Sequence, residues 1–458
     1  MRASSSAKAG RAGSDEIGVG EGAHPATTRQ TATAGDVLRV ASGNLLEMYD
    51  FMIFGYFAEA IGRAYFPADD EVGALLKSLA TFGVGFLMRP LGAVVLGSYT
   101  DRHGRRAGLL LTLSLMSVGI IILTLTPGYV AIGLAAPFLV LVGRLVQGFS
   151  AGAELGNVSV YLAEMAPPDA KGFFVSWQSA SQQVAVMLAA AIGFALASLL
   201  TPEQILDWGW RVPLGIGCLI VPVIFLLRRG LREVHGFATQ VRPQRTTGAI
   251  LRDLWGSSGR VMIGMALVLM TTVSFYMITA YTPTFGKALH LTSRDSLIVT
   301  ACVGLSNLLW LPLMGAFSDR IGRKPILVTC TLLAIATAYP AMSWLAASPS
   351  MTKLLLVELW LSFLYASYNG AMVVYLTEVV PAHVRASGFS LAYSLATAVG
   401  GFTPFMATWL IKETGNVAIP GAWLSGAAAI SLIAALSSTP AGVRSNEGAM
   451  GVRAPIPS

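Results

Sequence analysis

"GSYTDRHGRR" occupies residues 97–106 and "GAFSDRIGRK" residues 315–324. Both read Gly-x3-Asp-Arg-x-Gly-Arg-basic, they start 218 positions apart in a chain of 458, and each is a knot of charge between long apolar runs. The repetition extends beyond the loop. "VYLAEMAPPDAKG" (160–172) is echoed by "VYLTEVVPAHVRASG" (374–388), which places Glu164 and Glu378 at nearly the same offset. One plan is therefore written twice, once per half.

Composition sets the solvent in which that plan folds. Hydrophobic residues make up 54% of the chain and charged residues 12%, and mean hydropathy is +0.64. A soluble domain carries about a quarter charged residues. Runs such as "AGLLLTLSLMSVGIIILTLT" (107–126) supply the roughly 20 apolar residues that a spanning helix needs. The pattern predicts twelve helices, at 40–64, 74–98, 107–126, 131–163, 173–199, 208–228, 260–286, 295–317, 326–347, 354–380, 387–411 and 418–440. Turn signals separate them, among them "FPADD" (66–70), "TPG" (126–128), "APPDAKG" (166–172) and "VPAHVR" (380–385). Continuous apolar runs, in place of period-two alternation, exclude a barrel. The expected fold class is an all-α membrane protein with twelve transmembrane helices in two six-helix, pseudo-symmetric halves.

The halves are expected at 37–228 and 260–440. A polar, basic linker (229–259) joins them, and cytoplasmic tails (1–36 and 441–458) flank them. The first 36 residues are rich in Ala, Ser, Gly and Thr without an apolar stretch, which reads as a disordered tail and not as a cleaved leader. Of 31 Lys and Arg residues, 7 lie outside the first and last spans, and Arg89 and Arg144 lie within spans. Of the rest, 15 fall on the side of the two charged loops and 7 on the other. That asymmetry makes the loop side cytoplasmic, with both termini inside. The net charge of +7 follows from the same bias toward an anionic inner leaflet and gives no reason to expect nucleic acid as a partner.

Paired halves of this kind are the architecture of secondary transporters that rock about a midplane site. The two charged loops resemble the signature of the major facilitator superfamily, and "GRLVQG" (143–148) resembles its fourth-helix motif. "SGNLLEMYDFMIFGY" (42–56), "FLMRPLGAVVLG" (86–97), "GRLVQGFSAGAELG" (143–156) and "SWQSASQQ" (176–183) are similar to the metabolite:proton symporter family. Within it, "YTPTFGK" (281–287), "GLSNLLWLP" (304–312) and "YNGAMVVYLTEVVP" (368–381) look like citrate-proton and tricarballylate symporters. The resemblance covers about residues 38–440. It implies alternating access in the inner membrane, with a tricarboxylate and protons as partners in the bilayer, no cofactor and a monomeric working unit. A dicarboxylate, a keto acid or an osmolyte is the alternative cargo. A membrane sensor that binds without transporting is a different class, and it would call for an appended signalling domain.

Ionisable residues inside spans are functional candidates, because each costs about 2.5–3.5 kcal/mol at a helix centre. Glu47 and Asp50 lie three apart on one face of the first helix, with Asn44 one turn earlier and Tyr49 beside them. Arg89, followed by Pro90, stands in an apolar second helix. Arg144, Gln147 and Glu154 form a stripe on the fourth. Asp50, Glu47 and Glu154 are the expected proton-coupling groups. The expected substrate groups are Arg89, Arg144, Asn44, Tyr49, Gln178, Ser181, Gln182, Asn307, Tyr368, Asn369 and Tyr393. Structural ion pairs or interhelical hydrogen bonds are the competing reading for each. Glu59 and Glu358 fall near predicted helix ends and are expected at the interface. Pro283, Pro312 and Pro404 are expected either to bend helices or simply to end them.

The loops themselves read as gates: Gly97, Asp101, Arg102, Gly104, Arg105 and Arg106 in the first half, and Gly315, Asp319, Arg320, Gly322, Arg323 and Lys324 in the second. The glycines permit close approach, the aspartates can face a helix N-terminus, and the cations can bridge the halves. Positive-inside anchoring alone is the alternative. The chain has no Gly-x4-Gly-Lys-Ser/Thr phosphate loop, its three cysteines are scattered among spans, and no histidine cluster or catalytic triad is present. Direct use of ATP, metal binding, redox work and enzymatic catalysis are therefore not expected.

Overall fold

The computed structural model describes residues 34–229 and 247–438, apart from positions 69, 104, 153–157, 160, 161, 164, 165, 168, 382 and 383. The described residues contain no strand. Among the described residues, twelve helices, four of them in two segments, follow the apolar runs. In the first half these are α1 (Ala34–Tyr56, continued by Ala58–Tyr65), α2 (Glu71–Leu87, continued by Arg89–His103), α3 (Arg105–Leu125), α4 (Ala135–Ala151), α5 (Lys171–Leu199) and α6 (Arg211–Arg229). In the second they are α7 (Ser258–Ile278, continued by Thr282–Ala288), α8 (Ser293–Ile321), α9 (Arg323–Ala347), α10 (Met351–Val379), α11 (Arg385–Gly400, continued by Thr403–Thr414) and α12 (Ile419–Ser437).

The repeat is visible in the packing. In the first half α1 packs on α5 and α6, α2 on α4, and α3 on α4 and α6. In the second half α7 packs on α11 and α12, α8 on α10, and α9 on α10 and α12. Adding six to each helix number converts one list into the other. The halves meet through α5 against α8 and α2 against α11, two pairs that exchange under the same shift.

Four predicted spans are broken, and sequence accounts for several breaks. Pro90 has no N–H to return to the Phe86 carbonyl, so α2 is interrupted at Met88 and resumes at Arg89. Pro283 and Pro404 sit in the first turn of the segments of α7 and α11 that lie away from the charged loops, where the missing N–H costs nothing. Pro312 lies inside an uninterrupted α8. The fourth span starts four residues later than predicted, because Gly133, at φ 59°, ends a short preceding turn. The expected linker 229–259 contains a helix, Thr247–Gly256, with Trp255 exposed; positions 230–246 lie outside the described residues.

Small residues let backbones touch where helices cross. A Cβ on Gly148 would stand 1.7 Å from the Gly85 carbonyl oxygen, so α2 and α4 cross glycine on glycine. Gly148→Ala is expected to destabilise the protein by about 1–3 kcal/mol, the usual cost of overpacking, read as a lowered Tm in detergent. An unchanged Tm would show that this crossing is looser than described.

Candidate functional site

Four charges meet near the middle of the first half. Glu47 and Asp50 leave α1 one turn apart and reach different helices. Arg89, at the break of α2, donates from Nη2 to Glu47 Oε1 at 2.5 Å. Arg144 of α4 donates from Nη1 to Asp50 Oδ2 at 2.9 Å and to Gln147 Oε1 at 2.8 Å. None of the four is more than 4% exposed. Arg144 is thus paired with Asp50, and the expected stripe toward Glu154 falls on a position outside the described residues.

Aromatic faces surround these pairs. The Arg144 Cζ lies 3.7 Å from the Phe54 ring centroid, and that of Arg89 lies 4.9 Å from Phe86 and 5.2 Å from Phe51. Each such contact contributes about 0.5–2 kcal/mol as the cation is desolvated. Phe82 and Phe86 in turn meet Tyr276 of the second half, and Tyr276 and Tyr393 lie within electrostatic reach of Arg89 and Glu47. The aromatic wall is therefore shared by both halves.

Polar groups around this wall divide into committed and uncommitted. Asn307 receives a hydrogen bond from Ser362 and donates to Gln183 Oε1, which ties α8 to α10 and α5. The Tyr49 hydroxyl donates to the Pro213 carbonyl at 2.8 Å, and the Tyr368 hydroxyl to the Leu267 carbonyl at 2.7 Å. These bonds brace α6 and α7. Ser181 donates to the Gln178 carbonyl within α5, and Gln182 is buried. Buried atoms without a partner among the described residues include Arg89 Nε, Arg144 Nε and Nη2, Gln178 Nε2 and both amide atoms of Asn369. The nitrogens among them are donors of the kind an anion takes up. The side chain of Asn44 lies outside the described residues.

Sequence reasoning did not single out Gln183, which accepts from Asn307. It also misplaced Glu358. That side chain is 1% exposed inside α10 and not at an interface.

Both faces are latched. On the side of the charged loops Asp319, from the second of them, accepts from the Gly172 and Phe173 amides at 2.8 and 3.1 Å. A carboxylate of one half thus caps the N-terminus of α5 in the other, where the helix dipole favours it. Gly315 makes that approach possible, since a Cβ there would stand 2.5 Å from the Gly172 carbonyl oxygen. Arg323 holds the Asp319 carboxylate at 2.6 Å, Lys324 binds the Leu436 and Ser438 carbonyls at the end of α12, and Gly322 turns the chain at φ 91°. Arg320 is exposed. Gly97, the counterpart of Gly315, has no described atom within 4 Å of an added Cβ. Gly104 and the side chains of Asp101, Arg102, Arg105 and Arg106 lie outside the described residues.

On the other side Lys287 pairs with Glu59, and Lys412 pairs with Asp70 at 3.0 Å, both across the halves. The Lys412 ammonium and the Gly73 amide hold the Asp70 carboxyl below its usual range. The Lys412 bridge therefore persists at neutral pH and is lost only as acid titrates Asp70 through that lowered value.

Asp319→Asn removes the charge from the α5 cap. It is expected to weaken the latch on the charged-loop side by about 1 kcal/mol, roughly a five-fold shift toward opening of that face. The shift reads as faster labelling of cysteines placed along that half of the cavity. Unaltered labelling together with normal transport would leave the loop an anchoring role only.

A family model described as "Major Facilitator Superfamily" matches residues 40–404 and 289–449. The citrate-proton symporter of Klebsiella pneumoniae is 55% identical over 416 residues, covering 89% of this chain and 94% of that protein. Its counterpart from Salmonella typhi is 54% identical over 413 residues, covering 90% and 95%. Among solved structures, the partially occluded inward-open xylose transporter XylE from E. coli superposes with a TM-score of 0.70 at 19% identity, covering 87% of this chain and 95% of that one; this likeness concerns the fold. With twelve helices in two interchangeable halves, buried charge pairs at the centre and a family match over most of its length, this chain is a multi-pass membrane transporter, not an enzyme, and belongs to the major facilitator superfamily.

Proposed function

We propose that this protein imports citrate together with protons across the inner membrane by alternating access, with both termini in the cytoplasm. The observation that carries this reading is the double arginine–carboxylate arrangement, Arg89 with Glu47 and Arg144 with Asp50. The likeness to citrate-proton symporters over most of the chain supports the substrate.

The coupling follows from charge. The four central groups sum to zero, whereas citrate carries roughly three negative charges at neutral pH. Protonating Glu47 or Asp50 releases an arginine from its partner. A buried cation left unpaired is disfavoured by about 3–5 kcal/mol, and a substrate carboxylate relieves that cost by taking the place of the neutralised side chain. Proton binding and anion binding therefore favour one another, and linkage makes the effect reciprocal. Neither ligand alone yields a well-compensated occluded carrier. Gln178 and Asn369, one from each half, supply donors for the remaining carboxyl and the hydroxyl. The second-half donor ensures that a bound anion draws the halves together.

The test is uptake of labelled citrate into proteoliposomes under an inward proton gradient, challenged by unlabelled carboxylates. Citrate and tricarballylate are expected to compete most strongly, and 2-oxoglutarate and glycine betaine weakly. Citrate and tricarballylate differ by one hydroxyl, so the gap between them reports whether that hydroxyl is hydrogen-bonded. Uptake of a dicarboxylate or of betaine in preference to citrate would overturn the reading.

A further inference from the structure

We propose that closing the outer face requires one proton to be bound at Glu358, a carboxyl separate from both arginine pairs. This rests on the reading of the chain as a proton-coupled carrier and adds a second protonation site to it. Glu358 lies about two turns from the outer end of α10 and is 1% exposed. One carboxyl oxygen, Oε1, accepts from the Thr282 hydroxyl at 3.1 Å. The other, Oε2, is buried and has no partner among the described residues. Thr282 is the first residue of the outer segment of α7, immediately after the break at Thr279–Tyr281. That segment carries Lys287, which reaches across to Glu59 of the first half. Just before it, Ala280 abuts Gly55 of α1. The element that covers Glu358 is thus the same element that seals the outer face.

No charged side chain among the described residues pairs with Glu358. The cations on the outer ends of the neighbouring helices are committed elsewhere: Lys287 of α7 to Glu59, Lys353 of α10 to Ser348 with its ammonium over Trp344, Arg294 of α8 to the Ala197 and Ser198 carbonyls, and Lys412 of α11 to Asp70. Tyr281, the residue before Thr282, receives a hydrogen bond from Thr408. A carboxylate enclosed there would be a lone buried charge, disfavoured by roughly a hundred-fold; a carboxylic acid would not. Opening the outer segment of α7 hydrates the group and lets it ionise. Closing then takes one proton from external water onto Oε2. A sodium ion does not fit the same role, since one carboxyl and one hydroxyl fall far short of the six or so oxygens that hard cations gather.

The experiment measures the outer opening directly and needs no substrate. Spin labels at Val130→Cys and Ala347→Cys, exposed positions at the outer ends of the two halves, are introduced after Cys218, Cys302 and Cys330 are replaced by serine. Their separation is then measured in liposomes against external pH. In the otherwise native protein the ratio of closed to open is expected to fall as pH rises, by up to ten-fold per pH unit over the titration of one group. In Glu358→Gln, a permanent mimic of the acid, the closed form should dominate and the profile should be flat. Glu358→Asp should keep the transition with a displaced midpoint. A native profile in Glu358→Gln, or in Glu358→Asp if the amide variant does not fold, would overturn the proposal. Loss of citrate uptake in native protein would instead overturn the function proposed above and leave this result standing.

Discussion

Arg89→Ala is expected to lower citrate affinity by at least about a hundred-fold, the largest effect of any single change in the cavity. The guanidinium is buried against Glu47 and two phenyl faces, and its Nε has no partner among the described residues. Removing it deletes a cation from the anion's path and takes away the guanidinium that pairs with buried Glu47, a change on the scale of 3–5 kcal/mol. Lysine should rescue poorly, because a point charge cannot reproduce the planar fork or its stacking on Phe51 and Phe86. The double variant Arg89→Gln with Glu47→Gln removes both charges and should restore stability without restoring binding. Equilibrium binding of labelled citrate to monodisperse protein is the measurement. Affinity near that of the native protein in a folded Arg89→Ala variant would remove Arg89 from the site.

Asp50→Asn is expected to separate exchange from accumulation. The amide keeps the shape of the protonated acid and leaves Arg144 free for the anion, but it cannot release a proton. Labelled citrate should still exchange against internal citrate. Uphill uptake driven by a pH difference alone should fall to background, a loss of more than about ten-fold if Asp50 carries an obligatory proton. Glu47→Gln tests the other pair in the same assay. Uphill uptake at native levels in Asp50→Asn would return the Asp50–Arg144 pair to a structural role.

The architecture was legible because it depends on composition and periodicity. Apolar runs of spanning length, punctuated by Pro, Gly and charge, give helices wherever they occur, and two matched loops give the repeat. The central charges were legible for a related reason: Glu47, Asp50, Arg89 and Arg144 are conspicuous in apolar helices. Their pairing was not. Glu47 and Asp50 share a face, yet a 100° turn per residue spreads that face enough to reach α2 with one side chain and α4 with the other. Tyr49 lies between them in sequence and points to Pro213 instead.

Other misreadings came from tertiary contacts that no local pattern encodes. Glu358 lies only two turns from a helix end, which suggested an interface position, but the outer segment of α7 folds over it. Gly97 and Gly315 occupy the same motif position, yet among the described residues only Gly315 of the two meets a backbone from the opposite half. The hydrogen bonds of Asn307 and Tyr368 to other helices are likewise set by tertiary packing. Burial of a polar residue marked a candidate, while an atom left without a partner distinguished Gln178 and Asn369.

The account turns on the claim that an incoming citrate replaces protonated Asp50 or Glu47 as the arginines' partner. Proton uptake upon citrate binding tests it most directly. Calorimetric titrations of the detergent-solubilised protein, repeated in buffers of different ionisation enthalpy at about pH 8, where citrate itself is fully ionised, give the number of protons taken up per citrate bound. The account predicts uptake of at least one proton in the native protein, reduced by one in Asp50→Asn or in Glu47→Gln. Binding that takes up no proton in any of the three would contradict it.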